Sequence, residues 1–224
     1  MIPTVYLTKD RLESIFARIP NVRAAVIGDV CLDAYWTADM RISQLSRETP
    51  HHNLPVIEER YSLGGAGNVM NNMRALGAHV VPVTALGRDW RGMIVEGLMR
   101  DIDLSMDCTA IMEQRVTPCY VKPYRAGYGD VRYEDPRIDF ENRAPLTPDQ
   151  EDTMIAAVRR AAQNTDVAVI LITPKAAAWI PASVERLKIA GERPLLAVIP
   201  ASGGAGLGPD DILGMIRQAI GVKL

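Results

Sequence analysis

The sequence predicts an α/β protein with a doubly wound, mainly parallel sheet and a small antiparallel β lid. Apolar segments of strand length alternate with amphipathic helical segments, which is typical of parallel strands that are joined by helices and buried on both faces. Two regions, near residues 54–60 and 116–134, interrupt this alternation with half-buried strand patterns, and glycines at 127 and 129 mark a turn. We expect these regions to form the lid of a single domain over residues 1–224.

Helix start and stop signals mark the elements in the first half of the chain. Thr8 is placed to cap a helix that Pro20 ends, and Asp89 is placed to cap another helix. The expected elements are a helix at 8–20, a strand at 24–27, a helix at about 67–76, a strand at 79–85 and a helix at 89–100.

The same alternation continues in the second half. Thr147, Pro148 and Gln150 combine a capping residue, a proline at the first helical position and a capping-box glutamine. We therefore expect a helix that begins here and ends near Ala162. The elements expected after it are a strand at 167–172, a helix at about 182–190, a strand at 195–199 and a last helix at 209–220.

The composition is that of a globular protein with no nucleic-acid or membrane partner. The 224 residues are 48% hydrophobic and 23% charged, and the formal net charge of -2 offers no basic field for a phosphate backbone. The apolar run 167–172 is too short to span a bilayer, and the N-terminal residues lack the apolar core of a signal peptide. Three cysteines without C-x-x-C spacing are typical of a reducing compartment, so we expect a cytoplasmic protein.

The most informative motif is the glycine-rich stretch from Gly64 to Asn68. Glycines let backbone amides approach a ligand closely, the first amides of the following helix can bind oxygen atoms, and Asn68 adds donor and acceptor atoms. Met70 stands where the dinucleotide fingerprint has its third glycine, and no Lys-Ser or Lys-Thr completes a P-loop. The stretch predicts either a site for a polar small molecule or a tight βα turn whose glycines serve packing alone.

Polar residues also follow the first predicted strand, where ligands bind in open parallel sheets. Asp29 comes directly after the strand, and Asp33 lies one helical turn further. Together the two carboxylates suit the hydroxyls of a polyol; otherwise Asp29 caps the next turn and Asp33 is solvated. Arg41 and Arg47 are either partners for a phosphate or carboxylate of the ligand or ordinary surface residues.

A second glycine-rich turn, at 202–208, precedes Pro209 and Asp210. Its amides are placed to form an anion hole at the start of the last helix; otherwise it is a loop whose aspartates favour the helix dipole. His51 and His52 invite a metal site, but neighbouring side chains in an extended segment point opposite ways, so we expect no metal bound by the protein alone.

Several short motifs occur along the chain in a distinctive order. They are Gly28-Asp29 with Leu32-Asp33, Arg41-Ile42-Ser43, the stretch 63–69, Asn72, Ala75-Leu76-Gly77, and Gly87 with Asp89. In order and spacing they resemble the ribokinase-like (PfkB) carbohydrate kinase family, and most of all the sugar kinase half of ADP-heptose synthases. The resemblance covers roughly residues 20–200, although the stretch 44–52 departs from it.

The resemblance implies a doubly wound core with a β lid, and a homodimer formed through the lid strands. It implies that a sugar or sugar phosphate is held by Asp29, Asp33, Gly64, Gly65 and Asn68. Members of the family transfer the γ-phosphoryl group of ATP to a sugar hydroxyl. An aspartate takes the proton, while Mg²⁺ and an anion hole stabilise the phosphoryl charge. The expected cofactors are therefore ATP and Mg²⁺.

The C-terminal third departs from the family pattern. The catalytic aspartate of the family follows a Gly-Ala-Gly motif, but here Leu207 follows Gly204, Ala205 and Gly206, and Asp210 comes later. The family also has further strands and helices that hold the nucleotide, and we expect this shortened chain to lack them. Two functions stay open: a sugar kinase with an anion hole at 204–206 and Asp210 as a candidate base, or a catalytically inactive sugar-binding or dimerisation module.

Overall fold

The fold is taken from a computed structural model, which describes residues 8–127, 129–163, 169–190 and 195–199. The helices are α1 (Lys9–Arg18), α2 (Ala66–Ala75), α3 (Trp90–Asp101), α4 (Pro148–Gln163), α5 (Pro174–Trp179) and α6 (Pro181–Ala190). The strands are β1 (Arg23–Ile27), β2 (Val30–Asp39), β3 (Val56–Gly65), β4 (His79–Gly87), β5 (Thr109–Met112), β6 (Cys119–Gly127), β7 (Gly129–Glu134), β8 (Ile138–Phe140), β9 (Val169–Ile172) and β10 (Leu195–Val198). The helix predicted at 209–220 lies outside the described residues.

Five parallel strands form the main sheet, in the order β10-β9-β1-β4-β5. Helices α4 and α6 pack on one face and helices α2 and α3 on the other. Along β1, Ala25 and Ile27 belong to the first of these apolar clusters and Val26 to the second. Because both faces are buried, these strands are mostly apolar, and the polar Thr84 of β4 is itself buried. The prediction of a doubly wound, mainly parallel sheet is confirmed.

The order of the strands reverses at β1, since β4 and β5 lie on one side of it and β9 and β10 on the other. A crevice therefore opens between the carboxyl ends of β1 and β9, which is where open α/β sheets bind their ligands. Gly28 lies at its base. A Cβ at this glycine would come within 3.0 Å of both the Ala66 Cβ and the Thr173 Cγ2.

A second sheet, the lid sheet, contains β3, β2, β6 and β7 in that order, with β8 paired to β6. Its pairs are antiparallel except for β2 and β6, which run parallel. The prediction of a small antiparallel lid holds for the other pairs but not for this one, so the lid sheet is mixed. The physical reason is the connection: the chain passes through β4, α3 and β5 before it returns as β6, and such a crossover can join parallel strands.

Strand β2 takes the place of the helical turn that the spacing of Asp29 and Asp33 suggested. Leu32 and Ala34 are buried, and Asp33 lies between them on the opposite face, which is the period of two of a strand. Asp29 and Asp33 therefore do not share a helix face. Strands β5 and β8 and helix α5 were not predicted either.

The predicted helix starts are confirmed by their caps. The Thr8 hydroxyl accepts a hydrogen bond from the Arg11 amide at 3.2 Å. Thr147 and Gln150 form the reciprocal capping box at the start of α4, with bonds of 3.1 and 3.4 Å. In the described part of the chain, no helix is both long enough and apolar enough to cross a bilayer.

Asp89 joins the main sheet to the lid sheet as well as capping α3. Its Oδ1 accepts from the Gly92 amide at 2.8 Å, and its Oδ2 accepts from the Thr117 amide at 2.9 Å and from Arg91 at 2.7 Å. Burial alone would raise the pKa of Asp89, but these hydrogen bonds hold it below its ordinary value. The carboxylate thus fixes the loop that leads into β6.

We expect Asp89→Ala to lower the free energy of unfolding by about 2 kcal/mol at pH 7, because α3 loses its cap and the Thr117 amide loses its acceptor. A carboxylate with a depressed pKa stabilises the fold above the pKa of the unfolded chain, and this stabilisation is lost as the pH falls through the folded pKa. The difference between wild type and variant should therefore shrink below about pH 4 in urea titrations.

The matched control is Asp101→Ala, at the exposed end of the same helix. It should change the free energy of unfolding by less than about 0.5 kcal/mol. A similar loss in both variants, or a difference from wild type that does not vary with pH, would contradict the proposed role of Asp89.

Candidate functional site

The candidate site is built around the junction of β3 and α2, which packs against the end of β1. The Ala66 amide donates to the Asp29 carbonyl oxygen at 2.9 Å. Gly65, the N-cap of α2, has a φ of 59°, and a Cβ there would lie 2.5 Å from the same oxygen. Only glycine fits this left-handed conformation and close approach without strain. The glycine therefore brings the start of α2 to the carboxyl end of β1.

Strand pairing then brings Asp33 to the same place. Cys31 pairs with Gly64 and Asp33 with Ser62 across β2 and β3. A Cβ on Gly64 would lie 2.5 Å from the Cys31 Sγ and 2.9 Å from the Asp33 Oδ2. The carboxylate of Asp33 thus lies over the bare backbone of Gly64, close to the junction.

Four of the predicted residues, Asp29, Asp33, Gly64 and Gly65, are therefore brought together, and the fifth follows in the next turn. Asn68 is exposed in the first turn of α2, and the Asp29 residue is exposed as well. The group contains two carboxylates, an amide and glycine backbone, which are acceptors and donors suited to hydroxyl groups. Their role in binding a ligand stays a prediction.

Lys122 is a member of the site that the sequence did not indicate. Its Nζ donates to the Asp33 Oδ1 and to the Tyr35 hydroxyl, both at 3.2 Å. Burial would lower the pKa of Lys122, but the bonds to Tyr35 and Asp33 raise it above its ordinary value. Lys122 comes from β6, so only the pairing of β2 with β6 brings it here, and no local motif could have identified it.

The thiol of Cys31 takes no part in polar chemistry here. It is buried beside Gly64, and burial, followed by the negative charge of Asp33, raises the pKa of Cys31 to about 12. A neutral thiol is a weak nucleophile and ligand, so Cys31 serves as an apolar packing group beneath the glycines.

A cavity of about 50 Å³ adjoins the site at the end of β1. Its lining is mostly apolar, but Asp29, Arg115, Asn142 and Glu151 contribute polar groups. Burial lowers the pKa of Arg115, and the charge of Asp29 partly opposes this. Asn142 holds the Arg115 loop through two hydrogen bonds to the backbone of Val116, at 3.0 and 2.6 Å. Arg115 could not be identified from the sequence, since it lies in a loop with no recognisable motif.

Other residues named from the sequence lie apart from this group or outside the described chain. Arg41 binds the Asp39 carboxylate through its side chain, which holds the pKa of Asp39 below its ordinary value. Among the described residues, no three His, Cys, Asp or Glu side chains are grouped to hold a metal ion. Outside the described residues lie the predicted anion hole, Gly204, Ala205 and Gly206, and the candidate base Asp210.

Comparison of sequences finds relatives among bifunctional proteins named HldE. The chain is 31% identical over 191 residues to the bifunctional protein HldE of Geobacter metallireducens, which is 82% of this chain and 37% of the relative. It spans about a third of the length of the curated relatives it matches. Residues 125–216 also match the family model of the ATP synthase (F/14-kDa) subunit. That match covers less than half of the chain and begins inside β6.

Comparison of structures finds the same fold in solved kinases. A carbohydrate kinase from Agrobacterium tumefaciens matches with a TM-score of 0.53 and 16% identity, over 89% of this chain and 58% of that one. Ribokinase from Arabidopsis thaliana, solved with ribose and ATP, matches with a TM-score of 0.52 and 18% identity, over 82% of this chain and 54% of that one. The chain thus has the ribokinase-like α/β fold. Together with the HldE relatives, this confirms its resemblance to the ribokinase-like carbohydrate kinase family.

We expect Gly65→Ala to lower the free energy of unfolding by about 2 kcal/mol or more, because the residue would be strained at positive φ and its Cβ would press on the Asp29 carbonyl oxygen. Thermal and urea unfolding measure the effect. Gly97→Ala is the matched control, since nothing lies within 4 Å of its Cβ position inside α3. There the substitution should stabilise the protein by about 0.5–1 kcal/mol. Equal effects at both glycines would contradict the role given to Gly65.

Proposed function

We propose that this chain carries the sugar-binding site of a ribokinase-like carbohydrate kinase and phosphorylates a hydroxyl of a sugar or sugar phosphate with ATP. The observation that carries the proposal is the position of the Asp33 carboxylate over Gly64, beside the junction of β3 and α2. This is the place at which the resemblance to sugar kinases predicts the sugar. The HldE relatives and the kinase fold support a function of this class.

In this proposal the protein recognises the sugar through matched hydrogen bonds. The carboxylates of Asp29 and Asp33 accept from hydroxyl groups, and Asn68 both donates and accepts. Gly64 and Gly65 let the ligand approach the backbone, because no Cβ stands in the way. Hydrogen bonds to charged groups contribute more than neutral ones, so the two aspartates are expected to supply most of the affinity.

The nucleotide half of the proposal rests on the relatives. Ribokinase of Arabidopsis thaliana was solved with ribose and ATP. In this chain the residues proposed for the phosphate, Gly204, Ala205 and Gly206, and the proposed base, Asp210, are outside the described residues. Mg²⁺ commonly keeps several waters and is held by one or two carboxylates and the nucleotide phosphates. ATP and Mg²⁺ are therefore proposed to bind together as one ligand.

A second function is favoured by one feature of the sequence. Leu207 follows the Gly-Ala-Gly motif where the family has its catalytic aspartate, and a leucine can neither accept a proton nor bind Mg²⁺. The alternative is therefore a sugar-binding module that holds the same ligands without phosphorylating them. Both proposals share the sugar site and differ in phosphoryl transfer.

Calorimetric titration with aldohexoses, heptoses and their phosphates tests the sugar site. We expect Asp29→Ala and Asn68→Ala each to weaken binding about tenfold, because each removes a hydrogen-bonding group from the ligand. Asn71→Ala, one turn further along the exposed part of α2, is the control and should bind as wild type does. Equal affinity in wild type and both site variants would remove the proposed site.

Transfer of phosphate from Mg-ATP to the sugar that binds separates the two functions. A kinase should turn over, and Asp210→Asn should abolish turnover while sugar binding persists. Turnover that survives Asp210→Asn would exclude Asp210 as the base. Sugar binding without ATP binding or turnover would favour the non-catalytic module.

We also propose that two copies of the chain associate through the lid sheet. Strand β7 is exposed along its length, and its Val131 and Tyr133 are 52 and 60% exposed on the same face of the strand. Ile57 of β3 is 60% exposed at the same sheet. Exposed apolar side chains gathered on one element mark a surface for association.

We expect the double variant Val131→Glu, Tyr133→Glu to run as a monomer in light scattering under conditions in which the wild type is a dimer, because two charges would have to be buried. Met93→Glu is the control, since Met93 is equally apolar and 73% exposed but belongs to α3 and not to a strand of the lid sheet. It should leave the dimer intact. A monomeric wild type, or a dimer that persists in the double variant, would contradict the proposal.

A further inference from the structure

A lysine on the outward face of the lid sheet joins two side chains of the neighbouring strand. Pairing of β2 with β6 sets Lys122 opposite Tyr35, and Asp33 lies two residues before Tyr35 on the same face. This face is opposite to the one that packs on the core. The Lys122 Nζ donates to the Asp33 Oδ1 and to the Tyr35 hydroxyl, both at 3.2 Å. A single ammonium group therefore bridges the carboxylate and the phenol.

This bridge is shielded from water and constrains Asp33. The side chains of Lys122 and Asp33 are 24 and 17% exposed, respectively. An ion pair at this depth is screened less by water and salt than a pair at the surface. Among the described residues, Lys122 is the only group that donates a hydrogen bond to the Asp33 side chain. The orientation of this carboxylate thus depends on one contact.

Tyr35 holds Lys122 against Asp33. The Lys122 Nζ lies 4.7 Å from the centroid of the Tyr35 ring, in addition to its bond with the hydroxyl. The Arg60 guanidinium lies 3.9 Å from the same centroid. Like charges repel, so the ammonium group is most stable where the negative charge of Asp33 offsets the charge of Arg60. The ring, its hydroxyl and the second cation therefore all favour the position of Lys122 at Asp33.

The bridge determines which oxygen of Asp33 is offered to a ligand. With Oδ1 bound to Lys122, Oδ2 lies over the backbone of Gly64, where an added Cβ would come within 2.9 Å of it. The torsion that turns a carboxylate is soft, so without Lys122 the two oxygens could take many orientations. Hydrogen bonds weaken steeply as their geometry departs from linearity. A carboxylate that is held in place accepts well only from a hydroxyl that reaches it in one direction.

We propose that Lys122 is a positioning residue that makes the sugar site selective for the configuration of one hydroxyl, because it holds the Asp33 Oδ2 over Gly64. The inference rests on the proposed function, and in it Lys122 acts through Asp33 without contacting the sugar. An epimer directs this hydroxyl elsewhere and leaves the partly buried carboxylate oxygen without its donor, which costs affinity.

Calorimetry with pairs of epimers tests the inference, using aldohexoses, heptoses and their phosphates that differ at one carbon. The wild type should prefer one epimer of a pair by about tenfold or more. Lys122→Met should weaken binding of the preferred epimer about tenfold and reduce the preference to less than about threefold. Lys122→Arg should retain part of the preference, because a guanidinium also donates to a carboxylate. Arg125→Met, on the same strand and paired with Asp135, is the matched control and should bind as wild type does.

A double-mutant cycle shows whether Lys122 acts through Asp33. In the Asp33→Ala background, Lys122→Met should change the affinity for the preferred epimer by less than about twofold, since no carboxylate is left to hold. Losses that multiply would mean that Lys122 contacts the sugar itself, and they would overturn the inference. Tyr35→Phe gives the same test from the other end of the bridge. It should reduce the epimer preference in the wild type and have no effect when Lys122→Met is present.

Thermal unfolding of each variant separates this role from a purely structural one. A Lys122→Met protein that unfolds at a lower temperature but keeps the epimer preference of the wild type would overturn the inference, while the sugar site stands. If Lys122→Met does not fold, Tyr35→Phe decides by the same criterion, because it removes one hydroxyl and keeps the ring. If no sugar binds the wild type, the proposed function fails and the role of Lys122 fails with it.

Discussion

The arrangement of the candidate site depends on one backbone hydrogen bond, from the Ala66 amide to the Asp29 carbonyl oxygen. It joins the end of the first parallel strand to the start of α2, and it can form only because Gly65 adopts a left-handed conformation. Gly67 extends the close approach, since a Cβ there would lie 2.8 Å from the Leu63 Cβ. The glycines are therefore needed first for the close packing of the backbone at this junction. Space for a ligand is a consequence of that packing.

The lid sheet has one apolar and one polar face, and this division sets where each side chain can act. Leu32, Ala34 and Val121 pack with Val26 and Val80 of the main sheet in one apolar cluster. The alternate residues of the same strands must then face away from the core. Burial of one face thus places Asp33, Tyr35 and Lys122 on the other face, whatever the chemistry of their own side chains. The hydrogen bond from the Thr117 amide to Asp89 is a second link between the lid sheet and the main sheet. It holds β6 beside β2, so that the polar face of the lid sheet is continuous.

The sequence predicted what depends on local pattern, and it failed where distant segments meet. Apolar runs predicted four of the five parallel strands, all but β5, because burial on both faces leaves few polar positions. Capping residues such as Thr147 predicted the helix starts. The glycine motif predicted the junction of β3 and α2. Strand β2 was missed because the spacing of Asp29 and Asp33 suits a helix as well as it suits a strand.

The contacts of Asp33 and of Tyr35 on the same strand show most clearly what a short motif cannot predict. Lys122 is 89 positions away in the chain, and it reaches Asp33 through the register of β2 with β6, which no short motif encodes. Arg60 reaches Tyr35 through a different pairing, of β2 with β3. Short motifs therefore identified candidate residues such as Asp33. They did not identify the cations Lys122 and Arg60, whose positions depend on strand pairing.

Lys122 also decides how Asp33 can meet a ligand. Its Oδ1 is held by Lys122 at 3.2 Å, while its Oδ2 is directed at the backbone of Gly64. The carboxylate cannot rotate without breaking the bond to Lys122, so the acceptor that faces the junction is fixed in advance. A side chain fixed in this way loses little entropy when it binds a hydroxyl. Asp33 is therefore better suited to orient a sugar than to move toward it.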